Sequence, residues 1–415
     1  MNPFAQKTKA LDECMVDWKT LASKPYNKNS VDPYTKLRII LANGAEYESV
    51  WFSHQFSRHC TDNELRREIA IIRRIEQQQQ KRIASLKPLT ETILETTIGY
   101  EMLAVDLTAA LAKSEKNPLV KKALDFALLE DFDHLYRYSN LLEGERGIKA
   151  EKLVGKYVEI MPGRPTVSEH RWPCDDIKPF IAPNAELLTK LNVGIITAAE
   201  QQTMNYYMNV GAFYDTDAGR RLYAEIAMIE EQHVSHYGGL KDPTTTWLEC
   251  LLMHEYTECY LYYSCLKSEK DGNVKLLWEQ LFEQEVAHLH KAAELLQKYE
   301  GKQWEQVIPG GAFPKLLELV PSKEYLREVM KSARLTANKD DYIEADKLPD
   351  DAMFFKYQGI VNSDIAAVQS HRTIKSYIAK NKQDYRFEEK PHPIPEMQIR
   401  TKDNTDVGRG RAGTR

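Results

Sequence analysis

Glu230 and His233, in the stretch AEIAMIEEQHVSHYGGL, stand three apart within a segment of helical periodicity. On a helix that spacing projects a carboxylate and an imidazole from nearly the same face, and together they can ligate a cation. A single such pair is as easily one polar turn of a surface helix. Here the pair recurs. Glu285 and His288 repeat it, Asp131 and His134 repeat it with a shorter acid, and Glu76 and Gln79 repeat it with an amide in place of the imidazole. A glutamate precedes each acid by thirty positions: Glu46, Glu101, Glu200 and Glu255.

A longer period relates the halves. An offset of 154 carries Glu46, Glu76, Gln79, Glu101, Asp131 and His134 onto Glu200, Glu230, His233, Glu255, Glu285 and His288. Residues with no metal chemistry keep the register: Lys113-Ser114-Glu115-Lys116 falls on Lys267-Ser268-Glu269-Lys270, and Leu141-Leu142 on Leu295-Leu296. A gapless match of this length reads as a tandem duplication.

The elements that must position these groups are helices. A helix of about 20 residues spans about 30 Å, so thirty residues take the chain down one helix and back to the same level. Two such hairpins surround a cavity with four carboxylates and two imidazoles. Unpaired, four buried carboxylates repel one another and are driven to protonate. Two divalent ions cancel that charge. A set of carboxylates and imidazoles without thiolates suits iron or manganese.

On these residues the chain resembles the ferritin-like superfamily of non-haem di-iron carboxylate proteins, over 44–143 and 184–299. The resemblance implies two Fe ions, with Mn as the alternative, held by Glu200, Glu230, His233, Glu255, Glu285 and His288 in the second bundle. Glu230 and Glu285 would bridge the metals, and His233 and His288 would be terminal ligands. In the first bundle Gln79 and Asp131 depart from the pattern, so Glu46, Glu76, Gln79, Glu101, Asp131 and His134 are expected to form a degenerate, mainly structural site. Glu130 adjoins Asp131 but points about 100° away on a helix, and is not expected to substitute for it.

Glu258, three residues after Glu255, leans the resemblance toward rubrerythrin-like peroxidases, which carry an extra Glu on the third helix. It is the candidate catalytic residue. None of the six cysteines forms a CxxC pair, so electrons would come from an external donor protein. The expected activity is a di-iron oxidoreductase acting on O2 or H2O2, as an oxygenase or a peroxidase. A ferroxidase or iron-handling protein is the second reading, and a structural scaffold binding a partner the third.

The expected fold is all-α: two tandem ferritin-like four-helix bundles plus a helical C-terminal extension. Residues 1–43 read as an N-terminal arm, 44–143 as the degenerate bundle, 144–183 as a linker and 184–300 as the di-iron bundle. Residues 301–415 read as a helical extension with a disordered basic tail, packing on the bundles or on a partner chain such as a homodimer mate. Helices are expected over 44–59, 62–86, 90–114, 117–143, 184–209, 215–240, 244–268 and 272–299, broken by cap and turn residues such as CTDN, KPLT and EKDGN. A net charge of −5 gives no global signal for nucleic acid or membrane surfaces. The N-terminus lacks a signal-peptide apolar run. No stretch reaches the roughly 20 apolar residues of a spanning helix, and a reducing cytoplasm fits the cysteines. Of the other histidines, His236 is expected at the surface, and His254 and His290 point away from the ligands.

Overall fold

The computed structural model describes residues 1–160, 180–331, 376 and 379–382. Among the described residues all regular secondary structure is helical. The long helices are α1 (Pro33–His59), α2 (Asn63–Ala84), α3 (Ile93–Ser114), α4 (Pro118–Arg146), α5 (Leu187–Phe213), α6 (Asp217–Gly238), α7 (Trp247–Ser268) and α8 (Gly272–Glu300), followed by the shorter α9 (Lys323–Lys331).

Local chemistry sets the ends. Asp32, Asp62, Asn117, Thr216 and Asp271 accept bonds from first-turn backbone N–H groups. Thr92 with Glu95, and Thr246 with Glu249, form reciprocal capping boxes. Helices α4 and α8 stop at Gly147 (φ 66°) and Gly301 (φ 67°), left-handed positions that favour glycine. Apart from Asp32, these caps keep the 154-residue offset. α2 shows how the faces are set. Leu65, Ile69, Ile72, Ile75, Glu76, Gln79 and Ile83 are its buried residues, one stripe at helical spacing.

The first helix begins at Pro33, ahead of the expected residue 44. Proline there punctuates nothing. It occupies the first helical position, where its missing N–H costs nothing, behind the Asp32 cap. The arm is therefore residues 1–32, and it is tied down. Gln78 exchanges two bonds of 2.9 Å with Val16, and Phe4 stacks on Trp304 at 3.8 Å.

The helices divide into two compact units. Unit 1 comprises residues 1–91, 181–202 and 241–319; unit 2 comprises 92–180, 203–240 and 320–415. In unit 1, α1 packs on α2 and α7, and α7 on α8. In unit 2, α3 packs on α4, α4 on α6, and α9 on both α3 and α4. The division falls inside the continuous helix α5, after Gln202. The bundles expected over 44–143 and 184–300 are thus not the observed units. Each unit joins one hairpin from each half.

Connector length explains this. Two hairpins that lie side by side in the same direction in one bundle need a long crossover between them. The segment after α2 (85–92) and the one after α6 (239–246) have eight residues each. Fully extended, such a connector reaches about 30 Å, the length of the helix it would have to run beside, with nothing left for turning. Residues 147–186 are long enough, and they separate α4 from α5.

Within the C-terminal part, Trp304–Gln306 is a 3₁₀ turn and Lys323–Lys331 is α9. The other helix expected there (353–381) lies almost wholly outside the described residues, and the basic tail (400–415) entirely so. No helix among the described residues is long and apolar enough to cross a membrane.

Candidate metal centres

Unit 1 gathers Glu46 from α1, Glu76 and Gln79 from α2, Glu255 and Glu258 from α7, and Glu285 and His288 from α8, all buried. Ligand atoms of Glu76, Glu255 and His288 lie within 4.8 Å of one another, as do those of Glu255, Glu258 and Glu285. His288 Nδ1 stands 3.1 Å from Glu285 Oε2 and 3.5 Å from Glu255 Oε2. The Tyr262 hydroxyl donates to Glu46, the Gln79 amide to Glu285, and Ser49 to Glu76 at 2.8 Å. One oxygen of Glu46, one of Glu76 and both oxygens of Glu255 and of Glu258 remain buried without a hydrogen-bond partner.

Electrostatics expose the same deficit. Burial, reinforced by neighbouring carboxylates, pushes Glu76 up to about 7 and Glu255 up to about 8, and raises Glu46 and Glu258 well above the ordinary range. Burial opposes charge on His288, but Glu285 and Glu255 outweigh it and hold the imidazole well above its usual value. Five acids around one imidazole cannot all ionise without added positive charge. Carboxylate oxygens with no protein donor, converging beside a histidine, fit divalent cations.

Unit 2 gathers Glu101 from α3, Asp131 and His134 from α4, and Glu230 and His233 from α6, again buried. Glu200 is buried on α5, three residues before Thr203, where unit 2 takes over that helix. Ligand atoms of Asp131, Glu230 and His233 lie within 4.8 Å of one another, as do those of Glu101, His134 and Glu230. His134 Nδ1 lies 2.9 Å from Glu230 Oε1. His233 Nδ1 lies 3.2 Å from Glu230 Oε2 and 3.3 Å from Asp131 Oδ1. Its other nitrogen, Nε2, meets Glu130 Oε2 at 2.6 Å. A carboxylate on the far nitrogen fixes the ring and raises its basicity toward a metal. The Tyr207 hydroxyl donates to Glu101.

The sequence-derived ligands are all buried, but not in the expected grouping. Glu230 and His233 belong to unit 2, whereas Glu200, Glu255, Glu285 and His288 belong to unit 1. The residues assigned to a degenerate site are divided in the same way. Asp131 and His134 stand among Glu101, Glu230 and His233. Glu76 stands beside Glu255 and His288, and Gln79 bonds Glu285. Glu258 is held at the unit 1 cluster.

Other expectations change as well. Glu130 reaches His233 from the opposite helix, although it does point away from Asp131 on its own. His236 is buried rather than exposed, its ring 5.8 Å from that of Tyr237. His254 pairs with Glu48 at 2.9 Å. The two carboxylate-bound tyrosines had a signal that spacing could have shown. Tyr207 follows Glu200 by seven residues, and Tyr262 follows Glu255 by seven.

Buried carboxylate and histidine groups able to hold metal ions are thus present in both units. Comparison with protein-family models, with curated proteins and with solved structures gives no match to this chain.

Proposed function

We propose that the chain is a ferritin-like, iron-dependent oxidoreductase that reacts with O2 or hydrogen peroxide. Unit 1 is the reacting centre and unit 2 a second iron site. The observation that carries this reading is the set of buried carboxylate oxygens in unit 1 that no protein donor satisfies, arranged around His288. In this assignment Glu46, Glu76, Glu255, Glu285 and His288 would hold two irons, and manganese is the alternative suited to the same donors. When bound, the metals supply Lewis acidity and electrons.

The chain's own residues do the rest. Tyr262 keeps a proton at Glu46, and the Gln79 amide orients Glu285. Glu258 lines a cavity that leads from this cluster toward solvent. That access supports unit 1 as the proposed reacting centre. Electrons would come from a separate donor protein, because no CxxC redox pair is encoded.

The reading is tested by loading the chain anaerobically with ferrous iron, desalting, and measuring iron by mass spectrometry before following O2 and peroxide consumption. Bound iron with turnover that falls on Glu258→Gln supports it. A chain that retains no iron, manganese or zinc contradicts it and leaves a structural scaffold.

A further inference from the structure

The cavity beside Glu258 has a volume of about 400 Å³, within the range of roughly 300–1,000 Å³ typical of small-molecule sites. It lies wholly in unit 1. One wall is a single face of α7, running Cys250, Met253, His254, Thr257, Glu258, Leu261. At 1.5 Å per residue, that wall is about 16 Å long. The facing row on α5 is Lys190, Gly194 and Ala198, one turn apart. Buried Val193, Ile195, Ala198 and Leu261 make the deep end apolar, with the Glu258 carboxylate set among them. Half-exposed or exposed Lys190, Lys241, Asp242, Thr244 and Lys302 mark the outer end.

The lysines at that outer end are paired, with one exception. Glu48 faces His254 at 2.9 Å and Lys241 at 3.8 Å. Lys302 pairs with Glu249 at 2.8 Å and Glu300 at 3.1 Å. Asp242 takes the Thr244 N–H and hydroxyl at 2.9 and 2.7 Å. Lys190 makes no ion pair among the described residues.

We propose that this cavity binds an organic acid with an unbranched apolar body, of the size class of a medium-chain fatty acid, its carboxylate against Lys190 and its tail along α7 toward Glu258. That the ligand is the substrate rests on the oxidoreductase reading; that it binds does not. The apolar deep end disfavours a highly polar ligand there, because its hydroxyls would lose water without gaining partners. Glu258 lies at the depth the tail end reaches, so the carbon presented to the metals is remote from the acid.

Gly194 offers a clean test. A Cβ placed there meets no heavy atom within 4 Å, so a large side chain grows into the cavity rather than into the fold. Binding of decanoate and of decanol is measured by calorimetry on the full-length chain, iron-loaded and chelated. The wild type should bind decanoate in both states. Gly194→Phe should weaken it at least about tenfold, which is about 1.4 kcal/mol, while Gly194→Ala stays near wild type. Lys190→Gln should weaken decanoate by a few-fold, as for a partly exposed ion pair, and leave decanol unchanged.

No decanoate binding, binding indifferent to Gly194→Phe, or equal loss of acid and alcohol in Lys190→Gln overturns the proposal. Should Gly194→Phe melt early, Gly194→Leu takes its place under the same criteria. Iron content, measured on the same samples, separates the two claims. Iron without decanoate binding sinks this one alone, and decanoate binding without iron sinks the oxidoreductase reading alone.

Discussion

Gln79 directs its amide toward the Gln284 side-chain oxygen at 3.5 Å in unit 1, where unit 2 sets His233 against Glu130 at 2.6 Å. The four residues correspond through the 154-residue offset, and in both units the contact joins the first half of the chain to the second. The imidazole and the acid that orients it are thus replaced together. An imidazole without its carboxylate would lose orientation, and a buried carboxylate without its imidazole would be an uncompensated charge. Two neutral amides avoid both penalties. Gln284 also donates to the Cys14 carbonyl at 2.5 Å, binding the arm to the site.

Gln79→His alone should therefore raise metal uptake by unit 1 only slightly, because the new ring has an amide behind it. Gln79→His with Gln284→Glu should raise it well beyond the single change, by the 10–100-fold that such supporting carboxylates are typically worth. Metal titration of the two variants in a Glu230→Ala background, where unit 2 is disabled, isolates the effect. Equal affinities for single and double variants would refute the pairing.

Metal-free and metal-loaded protein should respond to pH in opposite senses. Glu76 near 7 and Glu255 near 8 sit above the ordinary glutamate value of 4.5. Between those limits the folded metal-free chain holds protons that the unfolded chain has released. Its stability falls as pH rises from about 4.5 to 8. Metals require the ionised acids and bind more tightly over the same range. Chelation should lower the melting temperature more at pH 8 than at pH 5. The same shift at both values, or none, would count against a buried site.

A different carboxylate governs the acid limb. Arg38 grips Glu269 through two nitrogens at 2.8 and 3.1 Å, with Thr35 and Trp278 at 2.6 and 3.1 Å. Burial alone would push Glu269 up, but these partners bring it to about 2. Its contribution is complete above about 4.5 and lost as pH falls toward 2. Glu269→Gln leaves Arg38 buried without a counter-charge. It should cost roughly 3 kcal/mol at neutral pH, with the gap to wild type closing in acid. A constant gap across that range would show that the ion pair is not its source.

Two glycines should respond in opposite directions. Gly194 has open space at its Cβ position, so Gly194→Ala should stabilise α5 by up to about 1 kcal/mol from helix propensity. A Cβ on Gly219 would stand 2.1 Å from Tyr214 Cε1. That ring is buried, so Gly219→Ala should destabilise by about 1–3 kcal/mol. Thermal or denaturant unfolding of the two variants checks the signs.

Much of this was legible in the sequence. Periodicity and cap residues located eight helices within a few residues, apart from the start of α1, where Pro33 reads as a breaker until Asp32 is seen to cap it. The ligand residues were legible because a helix couples spacing to direction. What spacing cannot settle is phase. A 154-residue offset relates the halves whether the chain is cut between α4 and α5 or grouped as inner and outer hairpins. Connector length breaks that tie, since only 147–186 can act as a crossover. Glu130 was missed for a related reason. Its direction was judged from its own helix, whereas its partner, His233, comes from another.

Metal content in wild type, Glu230→Ala, Glu285→Ala and the double variant is the most direct test of the exchanged-hairpin arrangement. Each single variant should lose only the metal of its own unit and keep that of the other, and the double variant should be empty. Loss of all metal in either single variant, with nothing further lost in the double, would place Glu230 and Glu285 in one site and contradict it.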